Sequence, residues 1–492
     1  MSQPAFLAFD LGAASGRAIL GQLDSGRLTT KEIHRFPNTI LQVRGHLYWD
    51  FFRLLEEVKK GLSLALKQGP VSSFAIDTWG VDFGLLGKDG DILGLPFAYR
   101  DTHTKGAMQE FFCKVSRERI YELTGIQFLE LNSLFQLFAI KRDNPSLLEE
   151  ARDLLFMPDL FYYFLTGMKK TEFTFATTSQ LYNPRKKAWE DELFDALGIS
   201  RSLMQKIVPP GAPMGSLDKK VLSPSGERKI QAFAAACHDT ASAVASIPSR
   251  GKDWAFISSG TWSLMGIEIE KPIISDMALR HNFTNEGGVE GTFRFLKNIT
   301  GLWLLQKCCE VWERGKKISY ERLMAMAGEA SSFLFFVDPD WQGFLNPANM
   351  PEAIRRYCLN TGQKAPRRQA DFARGICESL VLKYRSVLDE IRLISPRPIR
   401  KIHVIGGGSK NRLLCQFTAN ATGLPVFAGP SEATSAGNIM IQARACGSIP
   451  SLDRMREVIC DSFDVDLYEP VGTNRWEKAY ERFKQVVYGV ER

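Results

Sequence analysis

A chain of 492 residues exceeds what one ordinary hydrophobic core can hold and implies at least two sizeable domains. With 45% hydrophobic and 24% charged residues it reads as globular, and a net charge of +7 without any dense Lys/Arg run excludes a nucleic-acid or membrane patch while admitting a small anionic ligand. Nine scattered cysteines, never spaced C-x-x-C, exclude a disulfide framework or a zinc site and predict buried thiols in a reducing compartment.

The opening MSQPAFLAFDLGAASGR has no basic segment ahead of an apolar one, and no run approaches the roughly 20 apolar residues of a membrane span. Neither a signal peptide nor a span is expected, and the cytoplasm is the predicted compartment. The first elements are a strand over 5–9, a small-residue turn over 10–17 (DLGAASGR) and a strand over 18–23, with TTKEIHRF continuing the meander after DSGR. Asp50 is placed to cap an amphipathic helix carrying Phe51, Leu54, Leu55, Val58, Leu62 and Leu66 at helical spacing. A strand over 72–76 follows, then a predicted hairpin VDFGLLGKDGDILG whose KDGD is a turn signal.

Segment 230–245, IQAFAAACHDTASAVA, sets His238 and Asp239 in a small, apolar run. Asp239 reads locally as the N-cap of a helix over TASAVASI. The Pro/Gly/charge-rich IPSRGKDW then marks a boundary, giving domains at 1–246 and 247–492. Beyond it the grammar restarts: strand, turn and strand in WAFISSGTWSLMGIEI (254–269), and later a long helix with Phe372, Ile376, Leu380, Tyr384, Val387 and Ile391 on one face. The strand KIHVIGGG, a helix from Asn411 to about Gly423, the strand LPVFAG and a small-residue helix around SEATSAGNIM complete it. Two halves with one grammar predict a duplicated α/β domain with a cleft between the copies.

No P-loop, dinucleotide fingerprint, H-E-x-x-H or EF-hand loop is present, so a metal is expected to arrive with a nucleotide. The turns FDLGAASGR and SSGTWS each combine glycines with small hydroxyl residues, a composition that turns main-chain N–H groups toward phosphate oxygens as readily as it makes a plain hairpin. Gly12, Ser15, Gly16, Gly260 and Thr261 are the residues so singled out. Asp10 stands beside the first turn, where it either reaches Mg²⁺, directly or through water, or bonds its own turn. The glycines at 406–408 leave bare backbone for a base or ribose, and IDTWGVDFG gathers Asp77, Trp79, Gly80 and Asp82 in a mixture suited to a sugar's apolar face and hydroxyls. LKNITGLWLLQ puts Asn298 at a predicted helix start, with Gln306 two turns on. Beside a bound triphosphate Asp239 could accept the proton of an attacking hydroxyl, kept ionised by its helix N-terminus, so that capping and catalysis coexist. His238 fits a substrate contact and a core histidine equally.

Taken together, DLGAASGR, IDTWGVDF, GLPFAYRD, GIQF, MPDLFYYFLTG, CHDTASAV, SSGTWSLMG, TNEGG, LKNITGLWLLQ, HVIGGGSKN and GPSEATSAGN, in order from about residue 5 to about 445, resemble the rhamnulokinase branch of the FGGY carbohydrate kinase family. The resemblance implies two actin-like, ribonuclease-H-like ATPase domains, the first binding mainly sugar and the second mainly ATP, with L-rhamnulose phosphorylated at its 1-hydroxyl to L-rhamnulose 1-phosphate in L-rhamnose breakdown. It implies Asp239 as general base, with Gly80, His238, Asp239, Thr240 and Asn298 on the sugar. It further implies that Ala13, Ala14, Ser15, Gly16 and Arg17 would form the first phosphate loop, that Thr261 would bind ATP in the second, and that Gln306 and Gly407 would complete the nucleotide pocket. The protein would be a monomer or homodimer. Two departures stand out: Ala14 replaces the first of the usual pair of serines, and the tetrapeptide that names the family is not present literally. Another ketose such as L-fuculose or L-xylulose is the nearest alternative, and an actin-like ATPase without a sugar substrate or a non-catalytic sugar binder the more distant ones.

Overall fold

The structure, a computed structural model, describes residues 4–218, 221, 230–313 and 318–489. Strands β1 (Ala5–Leu11), β2 (Ser15–Asp24) and β3 (Arg27–Pro37) form the antiparallel meander that the sequence predicts. Every residue of β1 is buried, as expected of a central strand covered on both faces. Helix α1 (Phe51–Gln68) starts where the Asp50 carboxylate accepts the Arg53 N–H at 3.2 Å, and it buries Phe51, Leu54, Leu55, Val58 and Leu62. It crosses over to β4 (Ser73–Thr78), which pairs parallel with β1 and sets Asp77 beside Asp10 in register.

The predicted hairpin differs. Phe83–Leu86 is a strand, but its partner is Asp153–Phe156, and only one bridge, Leu86 to Ile92, joins it to the returning arm. The turn itself is present, closed by Gly87 N–H on Asp91 O at 2.9 Å. The fully buried FGLL run needs a partner that is itself buried, and LLF of the second strand supplies it where the exposed Asp91 arm does not. Strands β5 (Pro213–Ser216) and β6 (Gln231–Phe233) complete a six-stranded sheet in the order β5-β6-β4-β1-β2-β3. Helix α2 (Asp239–Ala245) follows directly.

The second half repeats the pattern. Strands β7 (Trp254–Ser259) and β8 (Trp262–Ile269) are antiparallel, and β9 (Thr284–Gly287) and β10 (Phe293–Thr300) follow. Asn298 lies within β10, and helix α3 (Trp303–Trp312) begins five residues later, which corrects the predicted helix start. A fully buried start over Phe293–Leu296, with Ile299 and Thr300 β-branched at the other end, favours the strand, and the chain turns only at Gly301. Helix α4 (Gln369–Ile394) buries the predicted face, β11 (Lys401–Ile405) runs parallel to β7, and α5 (Arg412–Thr422) is capped by Asn411 and ended by Gly423 in the left-handed region. Strand β12 (Val426–Ala428), helix α6 (Ala433–Ala445) and strand β13 (Asp466–Tyr468) close the series. The sheet carries the order β10-β8-β7-β11-β12-β13, with β9 alongside β10.

Both sheets therefore place an antiparallel pair of consecutive strands, β1–β2 and β7–β8, beside a parallel strand reached through helices. The chain folds as two units, one of Met1–Arg250, Glu268–Phe295 and Ala433–Ser462, the other of Gly251–Ile267, Leu296–Glu432 and Phe463–Arg492. Helix α6 and strand β9 thus belong to the first unit although they follow residue 250 in sequence. All nine cysteines are free thiols, five of them buried. No helix among the described residues is long and apolar enough to cross a membrane.

Candidate active site

The first unit gathers three carboxylates. Asp10 and Asp77 are neighbours across the β1–β4 pairing, at the strand ends where the chain leaves for the turn at 12–15 and for Gly80. Asp10 faces the Arg17 guanidinium at 2.6 Å and accepts from the Ser435 hydroxyl at 3.2 Å. Asp77 is wholly buried: its Oδ2 accepts from Asn438 Nδ2 at 2.6 Å, while its Oδ1 has no hydrogen-bond partner among the described residues. Burial, then the neighbouring Asp10 charge, pushes the Asp77 carboxyl well above the usual range.

Asp239 opens α2 as its first residue, and His238 holds the cap position. The Asp239 carboxylate turns back onto Thr240, accepting from its N–H at 2.6 Å and its hydroxyl at 3.1 Å. The sequence expectation that Asp239 is the N-cap is corrected by one residue. Burial pushes its carboxyl above the ordinary value, opposed by His238 and reinforced by Asp10. The Asp239 side chain keeps 31% of its surface accessible, so the carboxyl is reachable.

His238 is anchored from both directions. Its main-chain N–H donates to Thr174 Oγ1 at 3.2 Å, and Cys237 N–H donates to Glu172 at 3.0 Å; Glu172 also caps the helix Phe173–Thr178. Burial holds the Glu172 carboxyl up at about 7. Imidazole Nε2 stands 3.4 Å from Asp239 Oδ1, and a Cβ added at Gly80 would lie 3.4 Å from that same nitrogen. Gly80, His238, Asp239 and Thr240 therefore come together, with the missing side chain of Gly80 leaving room beside the imidazole.

Other expectations for this region change. Asp82 is a structural hub, accepting from Trp49 Nε1 (2.6 Å), Trp79 Nε1 (2.9 Å), Tyr99 N (3.1 Å) and Gln136 Nε2 (2.9 Å). Trp79 is buried against Trp49 with ring centroids 4.1 Å apart, so neither Trp79 nor Asp82 offers a surface to a sugar. In the turn of residues 12–17, Gly12 N–H donates to Ser15 O at 3.0 Å and closes the turn, while Ala14 is exposed at its tip. Gly16 is a packing requirement, since a Cβ there would lie 2.3 Å from the Phe36 ring.

The second unit holds the remaining candidates. Thr261 Oγ1 donates to Gln306 Oε1 at 3.2 Å, and the Gly260 N–H closes its own turn on Trp262 O at 2.8 Å. Trp303 N–H at the start of α3 donates to Thr261 O at 3.3 Å. Strands β7 and β11 run parallel, which brings the turn after Ser259 to the same edge as the glycines at 406–408. Contact there is close: a Cβ at Gly408 would fall 2.0 Å from Ser259 Oγ, whereas Gly407 has open space around it. Thr261, Gln306 and Gly407 thus share one sheet edge, and Asn298, half-buried in β10, belongs to the same unit.

Four residues of the first unit escaped the sequence reading. Ser435, Asn438 and Gln442 form a polar stripe on α6, with Gln442 Nε2 donating to Asn438 Oδ1 at 2.8 Å and Ser73 donating to Gln442 Oε1 at 2.7 Å. Their spacing of three and four inside a small-residue helix was the available signal. Arg294, wholly buried, was marked only as the one charge in an otherwise apolar stretch of strand.

Family models identify the two halves: residues 5–246 match the N-terminal domain, and residues 255–446 the C-terminal domain, of the FGGY family of carbohydrate kinases. The chain belongs to the FGGY carbohydrate kinases. Its relatives include the rhamnulokinase of Bacteroides thetaiotaomicron, 48% identical over 98% of this chain and 99% of that protein, and the rhamnulokinase of Pectobacterium carotovorum, 43% identical over 97% and 95%. The solved structures of a gluconate kinase and a ligand-bound xylulose kinase from Lactobacillus acidophilus each superpose with a TM-score of 0.80 at 15% identity, the first covering 99% of this chain and 98% of its own, the second 98% and 97%. The two-domain, actin-like α/β fold is therefore established over the whole chain, and this family member is a sugar phosphotransferase whose small-molecule substrates are a sugar and ATP.

Among the described residues no three metal-ligating side chains cluster to hold an ion unaided. The donor set fits a Mg²⁺ that keeps most of its shell as phosphate oxygens and water, which needs only one or two carboxylates. Burial is the main cause that raises Asp77 and Asp239, and the Asp10 charge that adds to it in both is the part a cation would relieve.

Proposed function

We propose that this kinase transfers the γ-phosphoryl group of ATP to the 1-hydroxyl of L-rhamnulose, giving L-rhamnulose 1-phosphate in L-rhamnose catabolism. The observation that carries the reading is full-length similarity at 48% and 43% identity to proteins named rhamnulokinase. Residues 1–246 supply most of the sugar site and residues 247–492 most of the nucleotide site.

In this reading Asp239 is the general base. Proton acceptance by a carboxyl raised above its ordinary value is stronger than by an exposed aspartate, provided the pH keeps it ionised, and Thr240 holds the acceptor oxygen in one direction. The hydroxyl oxygen then bonds to the γ-phosphorus, ADP leaves, and the proton remains on Asp239. Gly80, His238, Thr240 and Asn298 line the sugar site. Residues Ala13–Arg17 face phosphate, Thr261 and Gln306 bind nucleotide, and Gly407 leaves bare backbone for the base or ribose. Asp10 would hold Mg²⁺, directly or through water, and the ion would neutralise charge developing on the phosphate oxygens. Such an enzyme works in the cytoplasm as a monomer or homodimer.

The decisive experiment is ADP release by the purified protein with Mg·ATP against L-rhamnulose, L-fuculose, L-xylulose, gluconate and glycerol. Selective turnover of L-rhamnulose is the expected result. Preference for another acceptor would replace the substrate assignment, and sugar-independent ATP hydrolysis would overturn the kinase reading.

A further inference from the structure

Arg294 has no role in the chemistry above, yet it is wholly buried, projecting from β10 in the interior of the first unit. Its Nε donates to Gly287 O at 2.9 Å, and its Nη2 lies 3.1 Å from Glu286 Oε2 and 3.2 Å from His238 Nδ1. Glu286 Oε2 is in turn 3.2 Å from the same imidazole nitrogen. A guanidinium carries N–H donors only and cannot accept. An N–H on His238 Nδ1 could be accepted only by Glu286 Oε2 at 3.2 Å, an oxygen that already faces the Arg294 charge at 3.1 Å, and it would set that N–H against the Arg294 Nη2 donor 3.2 Å away. The contact with Nη2, which can only donate, favours Nδ1 as the acceptor, and the single proton of a neutral imidazole then goes to Nε2.

Nε2 is the nitrogen that faces Asp239 Oδ1 at 3.4 Å and the space left by Gly80. A donor and an acceptor so close together match two vicinal oxygens of one sugar. Asp239 takes the proton of the attacking hydroxyl, and the imidazole donates to the oxygen on the next carbon. We infer that Arg294 is a positioning residue that locks His238 in the Nε2–H tautomer, making it an obligatory donor to the acceptor sugar's neighbouring oxygen; this deepens the kinase reading and rests on it. Recognition then favours an acceptor whose adjacent carbon bears a carbonyl or hydroxyl oxygen, and disfavours one in which that oxygen is removed.

The test is ¹⁵N NMR of the full-length protein labelled at histidine, with the His238 signals assigned by their loss in His238→Asn. In the unliganded wild-type protein at neutral pH, Nδ1 is expected unprotonated and Nε2 protonated. A proton on Nδ1 directed to Glu286, or one on both nitrogens, overturns the inference, and this measurement needs no variant to fold. The double substitution Arg294→Met with Glu286→Leu removes both polar partners of Nδ1, and so the lock, without stranding a buried charge. It is expected to lose the fixed tautomer and to raise KM for the sugar about tenfold, the factor for one lost hydrogen bond, with KM for ATP unchanged. Arg294→Lys, which still donates, should retain the tautomer and most of the sugar affinity. An unchanged tautomer in the double variant also overturns the inference, because a purely structural arginine would behave that way. If the tautomer is as stated but no sugar is turned over, the lock stands and the kinase reading fails.

Discussion

Gly437→Ala tests how closely the candidate base depends on helix packing. Gly437 lies in α6 against α2, and a Cβ added there would stand 1.8 Å from the Ser242 carbonyl oxygen, 2.7 Å from its carbon and 3.3 Å from its Cα. Restoring ordinary contact requires the helices to part by roughly 1.5 Å, and the obstruction is main chain, so no rotamer change relieves it. In an unobstructed helix the same substitution would stabilise by about 1 kcal/mol. Overpacking costs about 1–3 kcal/mol, and a backbone clash of this depth belongs at the upper end, so the net loss is about 2 kcal/mol. Asp239 is the first residue of the helix that must move, only three positions before Ser242, and a displacement near 1 Å reduces kcat on the order of 100-fold. Urea denaturation and steady-state kinase assays read both quantities. Adding Ser242→Gly should rescue neither, because the carbonyl remains. A variant as stable as the wild type with normal kcat would refute the packing argument, and rescue by Ser242→Gly would show that the side chain was the obstacle.

Asp239→Asn should abolish transfer while leaving the urea midpoint at neutral pH equal to or above that of the wild type, since it removes a carboxyl that burial disfavours in its charged form; normal turnover would remove the assigned role. In the wild-type enzyme the acid limb of the kcat profile should lie above the ordinary aspartate range, because only ionised Asp239 accepts a proton. Asp82→Asn should destabilise by about 1–3 kcal/mol, because an amide cannot accept from all four buried donors. The folded Asp82 carboxyl titrates at about 7 against 3.8, so the folded state holds the extra proton and its contribution to stability is full below pH 3.8 and lost as pH rises through about 7. The difference between wild type and Asp82→Asn should accordingly be larger in urea melts at pH 4.5 than at pH 8, and the opposite trend would contradict the raised pKa. Gly408→Ala, whose Cβ would meet Ser259 Oγ at 2.0 Å and Cβ at 2.5 Å, should raise KM for ATP about tenfold, and adding Ser259→Gly should recover most of it because here the obstacle is largely side chain.

Legibility in the sequence followed the range of the forces involved. The meander of β1 to β3, the Asp50-capped α1 and the Asn411-to-Gly423 helix are local outcomes of periodicity and capping, and each appears where the residues predict it. The hairpin after Asp82 and the helix start at Asn298 were misread because they depend on which distant strand buries which face. The same holds for the site. Its glycines, His238 and Asp239 stand out from an apolar, small-residue background, whereas Trp79 and Asp82 carried the same chemical signature and were consumed by the core.

The sequence alone determined membership in the carbohydrate kinase family and the repeated order of strands and helices, because ordered motifs and local periodicity survive without coordinates. Only the tertiary structure decided the burial that raises the Asp239 carboxyl, the unpaired oxygen of Asp77, the polar stripe of α6 and the pairing of Arg294 with His238. Each of these arises from desolvation or from partners tens to hundreds of residues apart in the chain, and burial and non-local contact have no signature in a linear pattern.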